Sequence, residues 1–151
     1  MSPIRPQHGW WLAALLIGVH LAGQSLSGQT PGADKEQYGT DRILQGIYSE
    51  SQAERGGAIY QGQCLRCHAP GEFAGAGFEL TWTGEPLFEL YRLIAGRMPL
   101  DSPGSLSLQQ VSALVAYILS LNGYPTGDEP LGTDREILTD ILIVPSGQES
   151  R

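Results

Sequence analysis

Cysteine, basic residues and repeats are all scarce in this chain of 151 residues. Two cysteines are too few for a disulfide-dense scaffold or a four-cysteine zinc site. Nine Lys and Arg against 16 Asp and Glu leave a net charge of −7, which argues against nucleic-acid binding because such proteins carry clustered basic residues. The chain also has no internal repeat and no coiled-coil heptad. What remains is one small domain with appendages.

The longest apolar run of the chain is short for a membrane-spanning helix. Residues 10–23 are apolar, but 14 residues rise about 21 Å, short of the roughly 30 Å hydrocarbon layer. Arg5 precedes this run and small residues follow it, which is typical of a secretory signal peptide. We therefore predict a cleaved signal peptide over 1–27 and no stable membrane span after its removal. An uncleaved N-terminal anchor is the alternative.

Beyond the signal peptide, composition divides the chain into three parts. Residues 28–48 are predicted to form a flexible leader, 49–124 the folded domain, and 125–151 a C-terminal extension. In the extension, Thr133 and Glu136 match a capping box. The short apolar run 141–144 either docks a partner protein or packs on the domain itself.

Three segments of the predicted domain have helical patterns. The first begins at Ser49, which forms an S-x-x-Q capping box with Gln52, and carries a stripe of small, aromatic and sulfur-containing residues to Cys64. The second covers 85–97, and the third covers 108–121 with Ser107 as its N-cap. The glycine-rich stretch 69–84 is predicted to be irregular. The sequence therefore predicts an all-α fold.

Once the predicted signal peptide is removed, the chain retains two cysteines, one histidine and one methionine, with a net charge of −8. Cys64, Cys67 and His68 form the sequence C-x-x-C-H, which is typical of c-type haem attachment. Thiols three positions apart on one helical turn can each add to a haem vinyl group, and the next residue can present an imidazole to the iron. A redox dithiol, a zinc site and a plain disulfide are the alternatives.

Met98 is the only methionine left as a soft axial ligand. It follows a predicted helix and precedes Pro99, in a loop that can wrap the far side of a haem. The alternative is a methionine that only fills a gap in the core. We predict His68 and Met98 as the two iron ligands and assign no catalytic residue.

These residues resemble the class I c-type cytochromes over about 49–123. The resemblance is carried by Gly56-x-x-x-Tyr60-x-x-x-Cys64-x-x-Cys67-His68, Met98-Pro99 and Leu114-x-x-Tyr117. It implies a small cytochrome c fold, with three to four helices wrapped around one covalently bound haem c. It also implies that Gly56 and Tyr60 meet Leu114 and Tyr117 where the first and last helices cross. One departure is that no Pro-x-Leu segment follows the motif to supply a carbonyl for the His68 N–H.

A narrower similarity is to cytochrome domains associated with periplasmic quinoprotein dehydrogenases. It is carried by Trp82-x-Gly84-x-x-Leu87, by Arg97-Met98-Pro99 and by the segment 103–106. It implies that the Trp82 indole N–H donates to a haem propionate and that Arg97 pairs with one. The alternatives are that Trp82 is a core residue and Arg97 is solvated.

The function expected from this resemblance is that of an electron carrier in the periplasm and not of an enzyme. Such a monohaem cytochrome takes single electrons from a donor dehydrogenase to a respiratory acceptor, either a terminal oxidase or another cytochrome. Two alternatives are a cytochrome subunit bound tightly to a periplasmic dehydrogenase and a haem-based ligand sensor. If the N-terminal segment is not cleaved, the protein is anchored to the membrane.

Overall fold

A computed structural model describes residues 42–147, and these residues contain five α-helices and no strand. The helices are α1 (Glu50–Ile59), α2 (Ala76–Trp82), α3 (Leu87–Arg97), α4 (Leu108–Leu121) and α5 (Arg135–Thr139). A 3₁₀ turn, Arg42–Gln45, precedes α1, and a π-helical turn, Tyr60–Cys64, continues it. The predicted all-α class is confirmed. The signal peptide predicted over 1–27 lies outside the described residues.

The close crossing of α1 and α4 is the main packing contact of the fold. A Cβ atom at Gly56 would lie 2.6 Å from the carbonyl carbon of Ala113 and 2.8 Å from Cβ of Tyr117. The ring of Tyr117 also packs 5.4 Å from that of Tyr60. The expected meeting with Tyr117 is thus observed, while the backbone that approaches Gly56 most closely is that of Ala113. Glycine at this position allows the two backbones to come together.

The N-terminal caps match the prediction at α4 but not at α1 or α5. Ser107 and Gln110 form a reciprocal capping box at α4. At α1, Ser49 makes no side-chain cap hydrogen bond, and the Gln52 side chain is turned into the core instead of reaching back to the Ser49 N–H. At α5 the cap is Asp134, whose carboxylate accepts from the Ile137 N–H, one residue after the predicted Thr133.

Helix α2 lies in the stretch predicted to be irregular. It begins after Gly75, whose φ of 68° would be strained for other residues. Phe78 of this helix is buried, and its ring lies 6.4 Å from that of Tyr124 in an edge-on arrangement. Burial of this one aromatic side chain stabilises a helix in a stretch where the frequent glycines obscure any apolar stripe.

The prediction of a flexible leader through residue 48 is wrong for its last seven residues. Ile43 and Tyr48 are buried, and the Tyr48 hydroxyl donates to the Tyr124 carbonyl over 2.6 Å. The Gly127 N–H in turn donates to the Tyr48 carbonyl over 2.7 Å. These two side chains and their backbone partners make 42–48 part of the folded core.

The predicted C-terminal extension is also part of the core through residue 147. Leu131, Leu138, Ile141 and Ile143 are all buried. The backbone of Ile143 exchanges hydrogen bonds with the segment before α3, where its N–H donates to Glu85 and its carbonyl accepts from Gly84. The apolar run 141–144 therefore packs on the domain itself, which is one of the two alternatives expected from the sequence.

Candidate functional site

The two cysteines and the histidine of the C-x-x-C-H motif lie on one continuous turn. The π-helical extension of α1 ends at Cys64, and the Cys64 carbonyl accepts hydrogen bonds from the N–H groups of Cys67 at 3.0 Å and His68 at 2.9 Å. Both cysteines are free thiols. Cys64 is half-buried and Cys67 is exposed, so that one thiol faces the edge of the core and the other lies at the surface.

The local electrostatics of the motif act on the Cys64 thiol and join it to a distant loop. Burial raises the pKa of Cys64, and the positive charge of Arg66 opposes that increase. The Arg66 guanidinium pairs with the Asp101 carboxylate at 3.1 Å, and both side chains are exposed. Because Asp101 is three residues after Met98, this ion pair joins the Met98 loop to the motif at the surface.

Met98 follows the last residue of α3. Its N–H donates to the Ile94 carbonyl at 3.1 Å, and its side chain is half-buried against the core. The ion pair thus joins the loop that contains Met98 to the turn that contains His68, and ligation of a haem iron by Met98 stays a prediction.

Trp82 and Arg97, the two other predicted haem-binding residues, lie at the ends of α2 and α3. Trp82 is half-buried and packs against the core. Arg97 is exposed, and it takes part in none of the ion pairs found within residues 42–147. The contacts of these residues with a haem propionate stay predictions.

Two residues that contact the His68 imidazole, Glu72 and Phe73, were not predicted from the sequence. Nδ1 of His68 lies 3.1 Å from Oε1 of Glu72, and the other carboxylate oxygen accepts from the Ala69 N–H at 3.0 Å. The hydrogen bond from His68, followed by that from the Ala69 N–H, lowers the pKa of Glu72. The Phe73 ring packs 4.9 Å from the imidazole. A signal for Glu72 was present, since it stands four residues after His68, a spacing at which side chains meet on a helical turn.

Two large apolar side chains are exposed, one in the Met98 loop and one on α2. Leu100, two residues after Met98, is 79% exposed, and Leu80 of α2 is 91% exposed. Exposed leucines of this kind gain stability when an apolar group covers them.

The donor set fits haem c. It comprises two free thiols and an imidazole on one turn, and a thioether in a loop joined to that turn by the Arg66–Asp101 ion pair. Within residues 42–147, no group of three or more His, Cys, Asp and Glu side chains is placed to hold a metal ion by itself.

Comparison with known proteins agrees with this chemistry. Residues 51–118 match a family model described as cytochrome c oxidase, cbb3-type, subunit III. Searches of curated proteins and of solved structures found no match. The matched segment contains α1, the motif, α2, α3 and the Met98 loop. It supports a class I c-type cytochrome domain, and with it haem c and electron transfer as the coarse function.

No helix in the described part of the chain is both long enough and apolar enough to cross a lipid bilayer. The apolar run at residues 10–23 is not among the residues described.

Proposed function

We propose that this protein is a monohaem electron carrier that works in the periplasm after its signal peptide is removed. The observation that carries the proposal is the turn on which Cys64, Cys67 and His68 lie, and the Arg66–Asp101 ion pair that joins the Met98 loop to this turn agrees with it. Bound haem c supplies a one-electron ferric–ferrous couple at such a site.

The residues of this site have separate roles in the proposal. Cys64 and Cys67 would hold the haem through thioether bonds, with the S–H of each thiol added across one vinyl double bond so that its hydrogen passes to a vinyl carbon. His68 and Met98 would bind the iron, and histidine–methionine ligation raises the reduction potential relative to two nitrogen ligands. Trp82 and Arg97 are proposed to bind the propionates. With His68 and Met98 both bound, the iron would have no open position for a diatomic ligand, which favours electron transfer over sensing.

The proposed partners are redox proteins. They are a donor dehydrogenase on one side and a terminal oxidase or another cytochrome on the other. The net charge of −8 after signal removal favours basic partner surfaces and association rates that fall with ionic strength. The role of a permanent subunit is less favoured, because Ile141 and Ile143 of the segment considered for docking are buried in the protein's own core.

The first experiment tests the cofactor. The full chain is produced in a host that exports and matures c-type cytochromes, and the pyridine haemochrome spectrum is recorded. We expect one covalently bound haem per chain in the wild type and none after Cys64→Ala with Cys67→Ala. A wild-type protein without covalent haem, but with a reversible Cys64–Cys67 disulfide, would instead indicate a thiol oxidoreductase.

The second experiment tests the axial ligand and the choice between carrier and sensor. Ferrous wild-type protein is exposed to carbon monoxide at neutral pH, beside Met98→Ala. We expect binding only by the variant, because only there is the sixth position open. Ready binding by the wild type would favour a sensor.

A further inference from the structure

Two hydrogen bonds place the Glu72 carboxylate, whose side chain is 45% exposed, beside His68. One carboxylate oxygen lies 3.1 Å from Nδ1 of His68, and the other accepts from the Ala69 N–H at 3.0 Å. The Glu72 N–H donates to the Ala69 carbonyl at 3.1 Å, which closes the turn between the two residues. The backbone of Ala69 therefore binds both the Glu72 N–H and the carboxylate, while the other carboxylate oxygen faces the imidazole.

The segment after Glu72 is anchored to the C-terminal end of α4. The side-chain amide of Asn122 donates to the Phe73 carbonyl at 2.8 Å, and its oxygen accepts from the Gly75 N–H at 2.8 Å. The Phe73 ring lies against the imidazole of His68. These contacts tie the turn that carries Glu72 to α4 and to His68.

The nearby Ala69 carbonyl has no capacity left for His68. It accepts from the Tyr60 hydroxyl at 2.9 Å and from the Glu72 N–H at 3.1 Å. A carbonyl oxygen has two lone pairs, and both are used. The Glu72 carboxylate is thus the acceptor that the structure places at Nδ1.

We propose that Glu72 is the positioning residue of His68, in the place where the class I cytochromes often use a backbone carbonyl. The inference rests on the proposed function, because it assigns a role toward the haem ligand. Glu72 keeps the proton on Nδ1, which leaves Nε2 as the nitrogen for iron. Its negative charge strengthens Nε2 as an electron donor, which favours the ferric state and lowers the reduction potential.

The test compares mature haem-loaded wild type with Glu72→Gln, which keeps an acceptor oxygen but loses the charge, and Glu72→Ala, which loses both. Glu129→Gln is the control, because Glu129 is exposed and lies in a distant part of the chain. Potentials are measured in about 1 M salt, where the Debye length is about 3 Å and distant charges are screened. We expect the potential to rise in the order wild type, Gln, Ala, and to stay unchanged in the control.

A second readout is the Nδ1–H proton itself. Residues 28–151 contain a single histidine, so ¹⁵N-histidine labelling of the ferrous protein gives one imidazole spin system. We expect a slowly exchanging, downfield Nδ1–H in the wild type, a smaller downfield shift in Glu72→Gln, and loss of the signal by exchange in Glu72→Ala.

The outcomes separate this inference from the proposed function. Haem-loaded wild type whose Nδ1–H exchanges freely, or whose potential does not respond to either Glu72 substitution, overturns the role of Glu72 alone. Absence of haem from the wild type overturns the proposed function, and the inference with it. If Glu72→Ala does not mature, the wild-type and Glu72→Gln spectra and potentials decide.

Discussion

Gly56 shows how one residue determines the approach of two helices. The space that a Cβ atom of residue 56 would need is occupied by the Ala113 backbone and the Cβ of Tyr117. Glycine in a helix costs about 1 kcal/mol relative to alanine. The cost is offset here because the two helix backbones can pack in direct contact.

We expect Gly56→Ala to destabilise the protein by about 1–3 kcal/mol, since the added methyl group forces the helices apart. Gly96→Ala is the matched control. Gly96 is also helical, and a Cβ there meets nothing within 4 Å, so this change should leave stability equal or raise it by up to about 1 kcal/mol. Denaturant unfolding of the haem-loaded proteins measures both. Equal stability of the two variants would contradict the close crossing.

Gln52 is a buried polar residue that ties distant parts of the chain together. Its amide donates to the Leu131 carbonyl at 2.9 Å and to the Ser112 hydroxyl at 3.1 Å, and its oxygen accepts from the Leu131 N–H at 2.7 Å. The Gln52 amide thus both donates to and accepts from the Leu131 backbone, as a neighbouring β-strand would. It joins α1 and α4 to the C-terminal segment.

We expect Gln52→Ala to cost about 2–4 kcal/mol, because it leaves the buried Leu131 N–H without its partner and opens a cavity. Gln109→Ala, an exposed change on α4, should alter the free energy of unfolding by less than about 0.5 kcal/mol. A comparably small effect at Gln52 would show that water replaces its bonds. Chemical denaturation provides the comparison.

At the scale of elements, the apolar stripes and capping residues predicted α3 and α4 closely. The bounds of α4, Leu108–Leu121, are those expected from the sequence, and α3 begins two residues later than predicted. Sequence patterns predict these two helices well because the apolar stripe and the capping residues lie within the helix that they specify. They fail at α2, where burial of Phe78 against Tyr124 supplies the stabilisation.

Helix α5 offers a sharp test of how the C-terminal segment contributes to the fold. Leu138 is fully buried, whereas its neighbour Ile137 is 47% exposed. We expect Leu138→Ala to cost about 2–5 kcal/mol, and Ile137→Ala to cost less than about 1 kcal/mol because much of its surface is already in water. The measurement is the unfolding free energy of the haem-loaded variants. Indistinguishable values would mean that this segment is an appendage after all.

Across the whole molecule, tyrosine hydroxyls connect the two ends of the described chain. Tyr48 donates to the Tyr124 carbonyl, and Tyr124 donates to the Val144 carbonyl, each over 2.6 Å. Burial, with a smaller contribution from the charge of Glu79, raises the pKa of Tyr124 to about 12. Burial also raises the pKa values of Tyr48 and Tyr91.

Stability should therefore fall at alkaline pH. The unfolded chain loses the Tyr124 proton near pH 10, whereas the folded chain keeps it until about pH 12. The contribution of Tyr124 is complete below pH 10 and decreases by about 2–3 kcal/mol as the pH rises to 12. Tyr124→Phe should cost about 1 kcal/mol at neutral pH and show a shallower alkaline loss. Unfolding free energies between pH 8 and 12 test this, and an unchanged slope would contradict it.

The sequence by itself determined the helical class, and the C-x-x-C-H motif by itself led to the proposed haem site. Both signals are local, because the residues that carry them lie within a few positions of one another. Only the tertiary structure decided that 42–48 and 125–147 belong to the core, that the buried Gln52 side chain binds the Leu131 backbone, and that Glu72 faces His68. The core segments and the Gln52 contact depend on residues nearly 80 positions apart in the chain. The last depends on how the turn after the motif folds back, which spacing alone permits but does not require.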